Sequence, residues 1–169
     1  IADVTHFVEA GGELDQEACR RSTSTYLVDK RIDMLPSVLT ETVCSLRPHC
    51  ERLAFSVLWK VSHDGVVQGV EFHKSVIHSI AALTYQEAQH HIENDSADSE
   101  DRIGNSVRLL NHFAQFFRKR RQDAGALSLA SPEVRFTMND ETDVPEDVQL
   151  YDSLESNKLV EEFMLLANI

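Results

Sequence analysis

The amino-acid sequence predicts an α+β fold in which an antiparallel sheet is flanked by helices. Residues 53–61 and 66–76 place apolar side chains at alternate positions on either side of Asp64-Gly65, a pattern typical of a β-hairpin with one buried face. Residues 103–117 instead repeat apolar side chains at helical spacing, which predicts a core helix whose apolar face carries Ile103, Val107, Leu110, Ala114 and Phe117. Because the chain has 169 residues, 42% of them hydrophobic, we expect one core of ordinary size.

The N-terminal part of the chain predicts a short strand followed by a helix. "DVTHFV" at residues 3–8 has the β-branched and aromatic side chains of a strand, and the Gly pair at 11–12 ends it. Residues 13–28 then place acids before basic residues, the order that a helix dipole favours. Since the hydroxyl run at 22–25 weakens helix propensity, we expect this helix to end or loosen near Tyr26.

The later elements follow from caps, breakers and periodicity. Pro36 begins a short helical segment that Pro48 ends, and Thr84 is a candidate N-cap. The remaining predictions are a helix over 83–94, an acidic surface loop over 95–101, a core helix ending at Gly125, a strand over 133–138, an acidic connecting loop over 139–157 and a closing helix over 157–168.

Charge is unevenly distributed in a chain whose formal net charge is −12. Residues 102–121 carry six basic side chains and no acid, whereas residues 131–162 carry ten acids and two basic side chains. This balance argues against non-specific nucleic-acid binding by the whole surface, but it allows a local basic track. No apolar run is long enough to span a membrane, and both ends read as interrupted elements, which predicts a piece of a larger protein.

The cysteines favour reduced thiols over a disulfide framework. Cys19, Cys44 and Cys50 are an odd number and have no close pair at metal-ligand spacing, which indicates an intracellular protein. His49 lies beside Cys50, but a zinc site needs about four ligands with recognisable spacing. The sequence therefore predicts no zinc site.

Three polar stretches are candidates for chemistry. Arg20 and Arg21, followed by small hydroxyl residues and Tyr26, combine the phosphate donors and the stacking surface that single-strand binding needs. A solvated helix face with a half-buried tyrosine explains the same residues, and spacing alone favours it. The basic run at 118–121 either meets phosphate or forms a solvated helix end, which spacing favours. Glu161 and Glu162 interrupt an apolar helix face, so at least one faces inward, lies in a cleft or caps the core edge.

Eight stretches, in order, resemble the catalytic RNB domain of the ribonuclease II/R family, and most of all its eukaryotic, exosome-associated branch. They are "IADVTHFVEAGGELDQEACRRSTSTYL", "RIDMLP", "CSL", "RLAFSVLW", "SVIHS", "GALSL", "SPEVRF" and "VEEFMLLANI". This resemblance implies processive hydrolysis of single-stranded RNA from its 3′ end to nucleoside monophosphates. It also implies magnesium ions that activate the attacking water. The expected partners are the RNA 3′ end and exosome core subunits, and a membrane is not expected. The protein is expected in the nucleus and cytoplasm.

The resemblance also assigns roles to individual residues. Tyr26 matches the tyrosine that stacks on the terminal nucleotide, and Arg20 and Arg21 match basic positions beside the RNA channel. One of Glu161 and Glu162 matches a glutamate near the terminal sugar. The second aromatic clamp of the family is expected near residues 125–136, where Phe136 is the candidate.

The catalytic and metal-binding residues of the family lie outside the matched stretches. The resemblance places its aspartates upstream of residue 1 and its basic catalytic residue downstream of residue 169. Residues 1–169 are therefore expected to be a partial RNB domain, truncated at both ends, with no catalytic and no metal residue of its own. In isolation the chain is expected to be inactive. The alternatives are a catalytically inactive RNB-like domain for RNA binding or scaffolding, and an acidic interaction domain.

Overall fold

The computed structural model describes residues 1–27, 30–94, 100–127, 133–138, 145–151 and 153–169, with backbone alone for 133–138 and 145–151. The chain divides into two compact units, which are described separately. Unit 1 comprises residues 1–57, 72–82 and 134–149, and unit 2 comprises residues 58–71, 83–133 and 150–169.

The fold is α+β, as predicted. Its helices are α1 (Glu13–Arg21), α2 (Tyr85–Glu93), α3 (Arg102–Asp123) and α4 (Glu155–Asn168), and its strands are β1 (Thr25–Tyr26), β2 (Arg31–Ile32), β3 (Glu51–Val61), β4 (Val67–His78), β5 (Glu133–Met138) and β6 (Pro145–Tyr151). The strands form three two-stranded sheets, β1-β2, β3-β4 and β5-β6. A 3₁₀ turn at Val4–His6 and a π-helical segment at Val38–Val43 complete the elements.

The strand predicted over residues 3–8 is wrong. Val4–His6 form the 3₁₀ turn, and the pairing of this segment with β3 is a bridge between Ala2 and Ala54. Asp3 is buried, accepts a 2.6 Å hydrogen bond from the Thr5 hydroxyl and pairs with Lys74 at 3.1 Å. Such local side-chain hydrogen bonds compete with a strand ladder, which explains the difference.

Helix α1 ends at Arg21, before the hydroxyl run rather than near Tyr26. Ser22 has φ 59°, in the left-handed region, so the helix stops there and residues 22–24 lead directly into β1. Tyr26 consequently lies on a strand. The short helical segment predicted between Pro36 and Pro48 is confirmed as the π-helical turn.

The β-hairpin is confirmed as β3 and β4, with Gly65 at φ +76° in the turn. Its predicted buried face is wrong for most of β4. Ala54 is buried, but the stacked pair Phe55 and Phe72 is exposed, as is Val76. Within the described residues this sheet has two strands, so its apolar face gains cover only locally.

Unit 2 is built around α3, which packs against α2 and α4. The buried side of α3 is formed by Gly104, Asn111, Ala114 and Phe117, whereas the predicted core residue Leu110 is exposed. The helical period was right, and Ala114 and Phe117 are buried as predicted. Towards the start of α3, however, the buried positions are Gly104 and Asn111, each one residue beyond a predicted one. Contacts with two neighbouring helices select that side, because a wide apolar stripe allows several orientations.

The other predictions have mixed outcomes. Thr84 caps α2 in a capping box with Glu87, as predicted. The predicted connecting loop over 139–157 is wrong in its described part, because β6 pairs with β5 there and α4 begins at Glu155. Residues 95–99 of the predicted acidic loop lie outside the described residues. No helix in the described part of the chain is long and apolar enough to cross a membrane.

Candidate nucleic-acid interface

The last turn of α1 holds two arginines on one carboxylate. Arg20 donates to both Glu17 oxygens through Nε and Nη2, each at 2.9 Å, and Arg21 donates through Nε at 2.7 Å. The spacing explains this, because residues three and four positions apart share a helix face. Both guanidinium groups hold the pKa of Glu17 down, from 4.5 to about 2, and Glu17 raises the pKa of Arg20.

These arginines line an open pocket of about 310 Å³ together with Thr23, Thr25 and Ile32. Ser22 ends α1 with a positive φ, and Thr23 and Thr25 of the hydroxyl run that follows share the pocket with the last two residues of the helix. Arg21 also donates from Nη1 to the Asp33 carbonyl at 3.0 Å. Two guanidinium groups and two hydroxyl side chains around one opening are suitable donors for a phosphate group.

Tyr26 is 76% exposed on β1, rather than half-buried. It pairs across the β1-β2 sheet with Arg31, whose guanidinium binds Asp33 at 2.6 Å and Glu41 at 2.8 Å. The pairing of β1 with β2 fixes the backbone at Tyr26, whereas the ring of Tyr26 is exposed. The ring is therefore a flat stacking surface held at a defined position. The pocket and this ring belong to the same compact unit.

Glu161 and Glu162, both on α4 in unit 2, have different surroundings. Glu162 is 4% exposed and accepts a 2.6 Å hydrogen bond from Arg121 of α3, which also donates from Nε at 3.4 Å. Glu161 is 51% exposed and receives a 3.3 Å contact from the same arginine. The bond to Glu162 raises the pKa of Arg121. Glu162 therefore joins two helices, and Glu161 is the carboxylate available at the surface.

The basic run at 118–121 divides in the same way. Arg118 pairs with Glu155 at 2.9 Å and Arg121 pairs with Glu162, so both are engaged with α4. Lys119 and Arg120 are exposed, and the Arg120 guanidinium lies 5.7 Å from the centre of the Phe117 ring. The solvated helix end favoured by spacing is thus correct for these two residues and wrong for the other two.

Two further predictions concern Phe136 and a metal ion. Phe136 lies in β5, and its side chain is outside the described residues, so its role stays a prediction. In the described ranges no group of three or more His, Cys, Asp or Glu side chains could hold a metal ion, so these residues do not fit a magnesium site. The three cysteines are free, and burial raises the pKa of Cys44.

Two features of this surface were missed from the sequence. Glu17 was not singled out, although an acid three and four positions before two arginines is a recognisable helix ion-pair pattern. Ile32 enters the pocket through the pairing of β1 with β2, which two-residue strands are too short to indicate.

Fold and surface together define an α+β protein whose first compact unit carries a basic pocket and an exposed aromatic ring. The RNB domain model matches residues 1–169, and the chain therefore belongs to the RNB domain family.

Relatives with high identity are exosome exonucleases. The chain is 52% identical over 169 residues to the human exosome complex exonuclease RRP44 and 49% identical to the exosome complex exonuclease dis3 of Schizosaccharomyces pombe. Each alignment covers all of this chain and 17% of the relative. The chain thus spans about a sixth of the length of these proteins.

Solved structures share the fold. Mycoplasma genitalium RNase R in complex with ribose-methylated single-stranded RNA superposes with a TM-score of 0.89 at 24% identity, over 99% of this chain and 26% of that one. Yeast Ssd1, described as a pseudonuclease, superposes with a TM-score of 0.73 at 20% identity, over 99% of this chain and 20% of that one. These likenesses confirm the predicted fold class.

Proposed function

We propose that this chain is part of a 3′-to-5′ exoribonuclease that degrades single-stranded RNA processively to nucleoside monophosphates. In this proposal, residues 1–169 are a central part of the RNB domain and form its RNA channel and 3′-end pocket. The observation that carries the proposal is the pocket of Arg20 and Arg21 in the same unit as the exposed ring of Tyr26. The 52% identity to an exosome exonuclease supports the same activity.

Each residue has a distinct role in this interface. Arg20 and Arg21 bind phosphates of the RNA backbone, and Thr23 and Thr25 add hydroxyl donors. Tyr26 stacks on a base, which requires an unpaired strand because the faces of paired bases are covered by their neighbours. The proposed substrate is therefore single-stranded RNA.

The terminal sugar is assigned to Glu161. Glu162 is buried on Arg121, whereas Glu161 is exposed beside it and can accept a hydrogen bond from a ribose hydroxyl. Phe136 is proposed as the second aromatic residue of the RNA clamp.

Magnesium dependence and cellular context complete the proposal. In this proposal the chain is part of a longer polypeptide, the parent protein. Magnesium would activate the attacking water, and residues of the parent protein outside this chain would hold the magnesium, because the described residues do not fit such a site. The proposed partners are exosome core subunits, which the name of the relative, exosome complex exonuclease RRP44, supports. The proposed location is the nucleus and cytoplasm.

The decisive experiment incubates 5′-labelled single-stranded RNA with magnesium and either the parent protein or the 169-residue chain. We expect stepwise shortening from the 3′ end by the parent and none by the chain. A folded parent that binds the RNA without shortening it would instead be a catalytically inactive RNB-like binding domain. A parent that neither binds nor shortens RNA would exclude both and leave an acidic interaction domain.

A further inference from the structure

Glu17 is the carboxylate that both arginines of the pocket share. The pocket is lined by both arginines and by Thr23, Thr25 and Ile32, whereas Glu17 binds the two guanidinium groups without being one of these lining residues. Its carboxylate is the shared acceptor of three hydrogen bonds of 2.7–2.9 Å. One acidic side chain thus contacts both cations of the pocket.

The hydrogen bonds divide the donors of each guanidinium into two sets. Glu17 takes Nε and Nη2 of Arg20 and Nε of Arg21, and the Asp33 carbonyl takes Nη1 of Arg21. In the described part of the chain these bonds leave Nη1 of Arg20 and Nη2 of Arg21 for a ligand. Each arginine keeps one terminal nitrogen with which it can meet a phosphate oxygen.

The two arginines need such a restraint. Their side chains are 76% and 45% exposed, and long exposed side chains exchange between rotamers unless something holds them. As adjacent residues of like charge they also repel each other, and a carboxylate bound to both offsets that repulsion. Holding both groups before the ligand arrives removes part of the ordering cost of binding.

We propose that Glu17 is a positioning residue that holds Arg20 and Arg21 in the orientation that binds an RNA phosphodiester. This inference rests on the proposed RNA interface and deepens it. According to this inference, the acidic residue Glu17 strengthens the binding of a polyanion.

The sign of one substitution distinguishes positioning from simple charge. Glu17→Gln removes a negative charge from the interface, so a purely electrostatic role predicts tighter RNA binding. A positioning role predicts the reverse, because the arginines lose their common acceptor. We expect the affinity to fall by about two- to fivefold, the factor that an exposed ion pair is worth.

The measurement is fluorescence anisotropy of a short 5′-fluorescein oligoadenylate with the parent protein in EDTA, so that the RNA stays intact. Glu13→Gln is the matched control, because it removes the same charge from an exposed position one turn earlier on α1. It should leave binding unchanged or slightly tighter. Thermal unfolding of each variant verifies that the fold is retained.

A second variant separates positioning from helix stability. Asp is a poorer helix former than Gln, so a role in stabilising α1 predicts that Glu17→Asp binds RNA more weakly than Glu17→Gln. Positioning predicts the opposite order, because Asp keeps the carboxylate. Tighter binding by Glu17→Gln, or weaker binding by the Asp variant than by the Gln variant, would overturn the inference.

The double variant Arg20→Ala/Arg21→Ala tests the underlying interface independently. It should lower the slope of log affinity against log salt by about one unit or more. If this slope stays unchanged, the RNA track lies elsewhere and the proposed interface fails, together with the role of Glu17. If the slope falls while Glu17→Gln binds more tightly, only the positioning role fails.

Discussion

At the residue scale, adjacent glutamates on α4 have different surroundings, because Arg121 of α3 binds one of them in a buried position. Glu162 is buried and bonds Arg121 at 2.6 Å, whereas Glu161 is half exposed. A buried carboxylate depends on its partner for compensation, and removing its charge leaves the guanidinium of Arg121 with a weaker acceptor.

Glu162→Gln should therefore lower the free energy of unfolding by about 1.5–3 kcal/mol, the range for a hydrogen bond to a charged group. Glu161→Gln should change it by less than about 0.5 kcal/mol, as for most surface substitutions. In the parent protein Glu161→Gln should instead weaken binding of the RNA 3′ end. Denaturant titration and anisotropy measure the two effects, and the reverse assignment would exchange them.

Tyr26 provides the sharpest test of base stacking. Tyr26→Ala in the parent protein should cost about 1–3 kcal/mol of 3′-end binding, because the base loses its stacking surface. The length of the final RNA product should change as well. Tyr26→Phe is the control, since it keeps the ring and removes only the hydroxyl. Unchanged binding and an unchanged product in the Ala variant would refute the assignment.

At the scale of elements, the turn of the hairpin is held by glycine for two separate reasons. Gly65 has φ +76°, and a Cβ at this position would lie 2.7 Å from the Cβ of Phe116 on α3. Gly125, after α3, has φ +92° with open space around its Cβ position. The first glycine is required by conformation and by contact, and the second by conformation alone.

Gly65→Ala should consequently destabilise the protein more than Gly125→Ala. Gly125→Ala is expected to cost about 1 kcal/mol of stability, because alanine rarely adopts a positive φ. Gly65→Ala should cost more than this, because α3 or the turn must also shift. Thermal unfolding of both variants gives the difference, which measures the contact with Phe116. Equal melting temperatures would mean that the turn and α3 separate without cost.

At the scale of the whole molecule, the 28 acidic side chains outnumber the 16 basic ones, and several acids form ion pairs. The pKa of Glu155 is lowered by hydrogen bonds from Arg118 and Lys158, and that of Glu17 falls from 4.5 to about 2. When folding lowers the pKa of a carboxyl group, the ionised group stabilises the folded state. This stabilisation is complete above the ordinary pKa and is lost as the pH falls through the pKa of the folded state.

We therefore expect stability to decline as pH falls from about 4.5 towards 2, although acidification also reduces the net charge of −12. Glu155→Gln should be less stable than the unaltered chain at neutral pH and should lose less stability over this window. Melting temperatures between pH 7 and pH 3 measure both. Parallel curves for the two proteins would contradict the lowered pKa of Glu155.

Local patterns were sufficient for the period of each long element. The alternation of residues 53–61, the Asp64-Gly65 turn, the cap at Thr84 and the helix ending before Gly125 all depend on neighbours within a few positions. They were predicted correctly for that reason. The ordered stretches that resemble the RNB domain likewise indicated the family to which the chain belongs.

Contacts between distant segments decided the rest. Arg121 and Glu162 are 41 positions apart, so no local pattern assigns the buried carboxylate. The same holds for the side of α3 that faces α2 and α4. The sequence by itself determined the class, the family and the residue types of the interface. Tertiary structure decided which of those side chains are exposed to a ligand, because burial depends on what packs against each element.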